Sequence, residues 1–353
     1  MVLLHIASVE AATVGGVNIA VPKMVNAQKE FATVGILNLT GEPVDSVPTF
    51  SPNDIWNKTL LAPFNKPDFV IFHEVYRPAF LSFARFFSEK GVPYIVIPHG
   101  CLTKTAQRKK LIKKWAANLL LFRKFVKNAR AIQYLSRREQ EQSAFSYPSV
   151  VLPNGIELPD QTKTSSASES VKFLYVGRLE WRIKGFDLLL GAIRLQKDLM
   201  RQNRATLIVY GPKNDPTRKK LQRMIDRYHI SDLVIFRGEV WGEAKKNAFL
   251  DADYFIQTSR SEGMPMGLLE ALAYGLPVIV SKGTGFADTV TKKRCGIGCK
   301  TAKKDIALAI GKVIAEQADY LLFSKNARAL IEENFEEKAV ARKTVIAYQT
   351  LLR

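Results

Sequence analysis

Two glutamates, Glu262 and Glu270, lie in the stretch SRSEGMPMGLLEALAYGLPVIVS, residues 259–281. An apolar run, DYFIQTS, leads into it. A loop, RSEGMP, follows, then a helix through MGLLEALAYG that Gly275 closes before Pro277 and a further strand. Glu262 is thereby expected in the loop at the carboxyl end of a strand, and Glu270 in the helix that follows. In an open parallel sheet that edge is where ligands bind. The amides of Met266, Gly267 and Leu268 would point out of the helix N-terminus, an anion site that Gly267 opens to close approach. A phosphate group suits it. Arg178 and Lys184 follow the apolar run VKFLYVG and bring two cations able to neutralise such a group. His99 ends the run PYIVIPH, so its imidazole should emerge at a sheet's carboxyl edge and hydrogen-bond a hydroxyl or a developing charge. Gly15 and Gly16 could let backbone close over a phosphate. Taken singly, each residue also has a plain structural reading: a solvated acid, a surface cation, a satisfied histidine, a tight turn.

The elements that must position these residues recur with a regular style. Apolar runs that read as buried strands appear at VLLHIAS, DFVIFHE, PYIVIPH, AIQYLS and SVVLP, and again at VKFLYVG, ATLIVYG, LVIFRG, DYFIQTS and PVIVS. Helix-like stretches such as 218–228 and 242–251 alternate with them. Alternation on this scale predicts an α/β protein with parallel sheets and helical crossovers, one doubly wound domain in each half. PNGIELPDQTKTSSASES lies between the halves without periodicity and is read as a linker starting near Asn154. The expected domains are 1–155, completed by a helix over 335–353, and 156–334. That helix has Val340, Thr344 or Val345, Tyr348 and Leu351 or Leu352 on its apolar face.

Composition bounds the function. A chain of 353 residues suits two domains, so a cleft between them is the expected place for a site. With 47% hydrophobic and 24% charged residues the chain is of globular make-up. No window reaches the ~18 to 20 apolar residues a membrane span needs. MVLLHIASVE suits a first buried strand better than a secretory signal, which makes the cytoplasm the expected location. Cys101, Cys295 and Cys299 offer neither a disulfide framework nor a zinc site and read as small core residues. The net charge of +19 should attract nucleic acid, anionic lipid or phosphorylated ligands. Residues 104–130 concentrate it, with ten Lys and Arg and no acid.

The motifs together resemble the retaining, nucleotide-sugar-dependent glycosyltransferases of GT-B type, family four. Their signature is an acidic residue, seven residues, then Glu, inside a strand-loop-helix-Gly-Pro-strand unit, as in SEGMPMGLLEALAYGLPVIVS. VGRLEWRIKGFDLLL looks like the family's diphosphate-binding segment, with Arg178 and Lys184 matching its cations. IPHG is similar to the loop whose histidine faces the donor sugar, TVGGVN to the glycine loop, and VLPNGIE to the hinge. The resemblance covers nearly the whole chain. It implies two Rossmann-like domains facing a cleft, with the C-terminal helix crossing back to the first, and transfer of a hexose from a nucleoside-diphosphate sugar to a sugar acceptor. Glu262, His99, Arg178 and Lys184 would act at the reacting centre. Glu262 would contact hexose hydroxyls without being a covalent nucleophile, Glu270 would accept from the ribose, and FRGEV, at 236–240, would lie along the base. Gly15, Gly16, Met266, Gly267 and Leu268 would hold the phosphates.

Pro265 replaces a glycine of many relatives and lacks an N–H, so the phosphate contact must rest on Met266 to Leu268. DAD, at 251–253, precedes a buried strand and is not read as a metal-binding D-x-D. No metal and no cofactor beyond the donor co-substrate is expected. Over 111–126, Leu111, Trp115, Leu119, Phe122 and Val126 form one stripe with lysines mostly opposite, while Leu120 and Leu121 break the pattern. Such a helix suits either an anionic membrane surface or packing in the first domain. Membrane contact would suit an acceptor on a polyprenyl diphosphate, placing the enzyme at the inner face of the plasma membrane, in surface polysaccharide synthesis. A uridine donor is expected from family frequency. The competing readings are a nucleotide-sugar epimerase or sugar-phosphate-forming enzyme of the same fold and a nucleic-acid-binding protein. The latter is disfavoured because no nucleic-acid module is present.

Overall fold

The computed structural model describes residues 1–10, 16–108, 118–163, 170–212, 216–316 and 319–352. They form two compact units, Met1–Gly155 with Glu337–Arg353, and Ile156–Glu336. The first unit carries strands β1 (Val2–Ala7), β2 (Thr33–Asn38), β3 (Thr49–Phe50), β4 (Phe69–His73), β5 (Tyr94–Ile97), β6 (Ala131–Tyr134) and β7 (Ser149–Val151). Its sheet has the order β3-β2-β1-β4-β5-β6-β7, and every pair is parallel. The chain winds outward from β1 in both directions, which is the doubly wound topology, with helices on the crossovers. β4, β5 and β6 are buried along their whole length, as expected of strands covered on both faces.

The second unit repeats the plan with β8 (Lys172–Val176), β9 (Thr206–Tyr210), β10 (Val234–Phe236), β11 (Tyr254–Gln257), β12 (Val278–Ser281) and β13 (Gly296–Cys299). Their order is β10-β9-β8-β11-β12-β13, again all parallel. Helices Phe186–Gln202 and Lys303–Ala315 share one core cluster, and helices Met266–Ala273 and Tyr320–Asn334 share another.

Three strands, β2, β3 and β13, go beyond the sequence expectation. TVGILN and GIGC contain glycines that dilute the apolar signal, and β3 has two residues only. The stretch read as a linker belongs, over 156–163, to the second unit. The Ile156 amide donates to the Phe335 carbonyl at 2.7 Å, and Lys163 pairs with the buried carboxylate of Asp253 at 3.0 Å. Asp253, from DAD, also accepts from the Lys172 amide at 2.8 Å. It therefore ties the amino-terminal ends of β8 and β11, the edge opposite the one where ligands bind.

Residues 109–117 of the basic segment, with Leu111 and Trp115, lie outside the described residues. Asn118–Phe122 form a π-helical turn before helix Arg123–Lys127. Phe122 and Val126 are buried in the first unit's core together with Phe125, which packs on Phe72 and Tyr94, while Leu121, Arg123, Lys124 and Lys127 are exposed. In its described part, therefore, the apolar stripe packs inward. No helix among the described residues is long and apolar enough to cross a membrane.

Helix Glu337–Leu352 closes the first unit. Val340, Ala341, Thr344, Val345 and Tyr348 are buried, and the Tyr348 hydroxyl donates to Gln133 Oε1 at 2.5 Å. Arg130 Nε donates to the Leu351 carbonyl at 2.7 Å. Tyr348→Phe leaves the Gln133 oxygen without that donor and is expected to cost about 1–2 kcal/mol, read as a lower urea midpoint at unchanged slope. An unchanged midpoint would show that the hydrogen bond adds nothing net.

Candidate active site

In the second unit, chemistry gathers where β8 and β11 end. β8 runs into Gly177, and residues 178–185 return to the start of helix Phe186–Gln202. That loop is fastened to the segment after β11. The Arg260 amide donates to the Ile183 carbonyl at 2.7 Å, and the Arg260 guanidinium grips Asp187 through two bonds, at 2.6 and 2.7 Å. Gly185 has φ +70°, and a Cβ there would run into the Thr258 carbonyl, so only glycine allows the two segments to touch.

This fastening brings Lys184 onto Glu262. The ammonium donates to both carboxylate oxygens at 2.8 Å. Oε1 also accepts from Gln257 Nε2 at 2.8 Å and from Ser259 Oγ at 2.5 Å. Side-chain exposure is 13% for Lys184 and 9% for Glu262, too little for a solvated loop acid. Glu270 has a lysine of its own, Lys245 of helix Gly242–Asp251, at 2.8 Å. Arg178 is half-exposed and pairs with Glu180 at 3.0 Å, while its carbonyl accepts from the Tyr175 hydroxyl at 2.8 Å. Its head group is thus held less firmly than that of Lys184.

Helix Met266–Ala273 starts against the end of β8, and a Cβ on Gly267 would lie 2.8 Å from the Val176 carbonyl. Of the three amides expected to face a ligand, that of Leu268 does not. It donates to the Pro265 carbonyl at 3.0 Å, and the side chain is fully buried. Proline's carbonyl closes a tight first turn, which the absence of an N–H at Pro265 does not prevent.

In the first unit, Gly15 lies outside the described residues. Gly16 opens helix Gly16–Gln28, and a Cβ there would meet nothing among the described residues within 4 Å. His99 follows β5 at φ +49°, in a turn held by Glu139, whose carboxylate accepts from the Gly100 amide at 2.5 Å and the Leu135 amide at 2.8 Å. Burial pushes the Glu139 carboxyl up, against those two amides.

His99 is the outer end of a row. Its Nε2 lies 3.0 Å from His73 Nδ1, His73 Nε2 lies 2.8 Å from His5 Nδ1, and His5 Nε2 lies 3.0 Å from Gln28 Oε1. His5 pairs in register with Ile71, and His73 with Ile97. Each histidine is therefore two residues further along than the one before, and an even offset keeps all three on one face of the sheet. Burial lowers the His5 and His99 pKa values to about 4, and lowers that of His73 well below its ordinary value. Sequence reasoning singled out His99 alone; the signal for His5 and His73 was a polar residue inside VLLHIA and FVIFH. Gln257, Ser259, Lys245, Glu139 and Arg260 gave no such signal. The Cys295 and Cys299 thiols are pushed up by burial, to about 11 and about 12, and are no nucleophiles at neutral pH.

Fold and site define an α/β protein of two doubly wound, Rossmann-like parallel sheets, with ion-paired carboxylates at the carboxyl edge of the second. Residues 159–330, within the second unit, match the family described as Glycosyl transferases group 1. It is 27% identical over 177 residues to an uncharacterized glycosyltransferase of Methanocaldococcus jannaschii, covering 50% of this chain and 44% of that one. It is 24% identical over 221 residues to a subunit of the human phosphatidylinositol N-acetylglucosaminyltransferase, covering 62% and 44%. With the putative teichuronic acid biosynthesis glycosyltransferase TuaC of Bacillus subtilis the identity is 25% over 245 residues, covering 66% and 59%. The matches span about half the length of these relatives. Among solved structures, sucrose-phosphate synthase from Thermosynechococcus elongatus superposes with a TM-score of 0.78 at 18% identity, covering 99% of each chain. Anabaena HepE in complex with UDP-glucose superposes at 0.75 and 16%, also covering 99% of each. The fold is GT-B.

Two measurements test this geometry. Lys184→Met leaves a nearly buried carboxylate without its counter-ion and is expected to cost about 2–4 kcal/mol of stability, whereas Lys245→Met, at a more open pair, should cost less. For the histidines, the unfolded chain takes up protons below pH ~6.5 that the fold refuses. Their contribution is therefore intact above that pH and is lost as pH falls towards about 4. The loss should approach ~1.4 kcal/mol per pH unit for each histidine, so urea midpoints should drop between pH 6.5 and 5. A flat profile across that window would contradict neutral, buried imidazoles.

Proposed function

We propose that the protein is a retaining hexosyltransferase that uses a nucleoside-diphosphate sugar, with UDP as the favoured carrier, and a sugar acceptor. The observation that carries this reading is the nearly buried Lys184–Glu262 pair, fastened by Gln257 and Ser259 at the carboxyl end of β11. A still more buried pair, Lys163–Asp253, ties the opposite edge of the same sheet; what sets Lys184–Glu262 apart is its place at the carboxyl edge, where ligands bind in a parallel sheet. A ligand offering hydroxyls to Glu262 and phosphate to Lys184 accounts for both partners. HepE, of like fold, was crystallised in complex with UDP-glucose, which supports a uridine donor.

In this reading Arg178 and Lys184 neutralise the diphosphate as the anomeric C–O bond breaks. The acceptor hydroxyl attacks from the face the diphosphate leaves, and its proton passes to the departing phosphate oxygen. Glu262 orients the hexose through its hydroxyls, Glu270 accepts from the ribose, and His99 hydrogen-bonds the sugar. Gly16, with no described residue within 4 Å of a would-be Cβ, lets backbone approach the phosphates, while Gly267 lets the start of its helix close against the end of β8. The two cations do the work a metal would do elsewhere, so transfer is proposed to need none. The acceptor is proposed to be a glycan carried on a polyprenyl diphosphate, in surface polysaccharide synthesis at the inner face of the plasma membrane. The human relative's name, which contains phosphatidylinositol, and the teichuronic acid relative's name support that direction. Arg123, Lys124 and Lys127 are free to meet anionic lipid on the exposed side of their helix.

A panel of UDP, GDP, ADP and TDP sugars, without metal, should contain one that raises the melting temperature, by about 2.7 kcal/mol of linkage at a hundredfold excess over Kd. Arg178→Ala should lose that shift. If none binds while polyanions stabilise at low salt, the transferase reading fails. With the donor found, Glu262→Gln should lower transfer at least ~100-fold while keeping the fold. Turnover of the sugar nucleotide without any acceptor would point instead to an epimerase or sugar-phosphate-forming enzyme. Replacing Lys113, Lys114, Arg123 and Lys124 together should release the protein from anionic vesicles, and unchanged binding would remove the membrane clause.

A further inference from the structure

Gln28 lies at the inner end of the histidine row, fully buried in helix Gly16–Gln28. Its Oε1 faces His5 Nε2, and its Nε2 has no hydrogen-bond partner among the described residues. Beside it is a cavity of about 10 Å³, lined by Met24, Ala27, Gln28, Val340, Ala341 and Thr344. That is room for about one water, which the amide nitrogen needs.

An amide oxygen only accepts, so His5 must hold its proton on Nε2, leaving Nδ1 as an acceptor. His73 then donates from Nε2 to His5 and accepts on Nδ1. His99 in turn donates from Nε2 to His73, and its own Nδ1 is left without a proton. We infer that Gln28 is a positioning residue: through His5 and His73 it fixes the tautomer of His99 and makes the outward nitrogen of that ring a hydrogen-bond acceptor. The row cannot carry a proton inward, because an amide carbonyl is no base and blocks its inner end. It is a lock on polarity rather than a wire. If His99 faces a ligand, it accepts a hydroxyl proton's hydrogen bond and does not act as an acid. That last step rests on the transferase reading above; the tautomer assignment does not.

Imidazole nitrogens are distinguished directly by long-range proton–nitrogen correlation NMR on the intact, ligand-free protein. All three histidines are expected in the Nε2–H form near neutral pH. Gln28→Glu, which also presents an acceptor, should keep that pattern. Gln28→Met, close in shape but unable to accept strongly, should give His99 as a mixture of tautomers. Once a donor sugar is known, Gln28→Met should lower transfer about 2- to 10-fold, the equivalent of one net hydrogen bond, and Gln28→Glu should restore it. An Nδ1–H form of His99 in the unaltered protein overturns the inference, even if Gln28→Met fails to fold. A folded Gln28→Met with an unchanged His99 spectrum overturns it as well. Correct tautomers in a protein that binds no sugar nucleotide would leave the lock standing and remove the transferase reading.

Discussion

The second unit turns on one carboxylate. Glu262 receives four hydrogen bonds, two from Lys184 and one each from Gln257 and Ser259. Gln257 is the last residue of β11 and Ser259 lies two residues on, while Lys184 comes from the loop after β8. One side chain therefore ties neighbouring strand ends and the loop between β8 and its helix. Take it away and Lys184 is left nearly buried without a counter-ion, with Gln257 and Ser259 deprived of an acceptor. The Arg260–Asp187 fork and the glycine at 185 bring the two loops close enough for this to happen. They act earlier in the chain of causes, by setting the distance the lysine must span.

The same device recurs in the first unit with neutral groups. Parallel strands buried on both faces leave few places for polar side chains, and unsatisfied ones are costly. Here three imidazoles and the oxygen of an amide pair along a diagonal across β1, β4 and β5, with the amide's nitrogen beside a small cavity, and Glu139 satisfies the amides of the turn beyond. Both units thus carry polar chains that lead to a carboxyl edge, charged in one and uncharged in the other. The difference has a physical basis. Lys184 and Glu262 each have an oppositely charged partner and some contact with solvent, whereas His5 and His73 have neither, and burial holds those imidazoles neutral.

What could be read from the chain divides along the range of the interactions. Apolar runs and their spacing disclosed ten of the thirteen strands among the described residues, the parallel class and the position of Glu262 after β11, because periodicity and turn residues act within a few positions. The lysine partner of Glu262 is 78 residues away, and its bond depends on a glycine contact no window contains. The pairing of His5 with His73 needs the register of two strands, which sequence patterns do not supply. The amide of Leu268 is a local miss of another kind. Counting from the helix start marked it as open, but the turn at Pro265 is tight enough to use it.

Lys184 has two claims on it in the proposed chemistry, and their conflict bears on how the site works. Bound to both oxygens of Glu262, it neutralises the carboxylate; turned to a diphosphate, it leaves that carboxylate needing donors. Hexose hydroxyls supply them, so sugar and phosphate have to arrive on one molecule for the exchange to be even. On that proposal a nucleoside diphosphate alone would draw the lysine away and leave Glu262 without its counter-ion, while a free sugar would offer donors to a carboxylate already satisfied. In the proposed chemistry the pair would thus favour the intact sugar nucleotide over either of its parts. The preference comes from the cost of stranding a nearly buried charge rather than from any added contact.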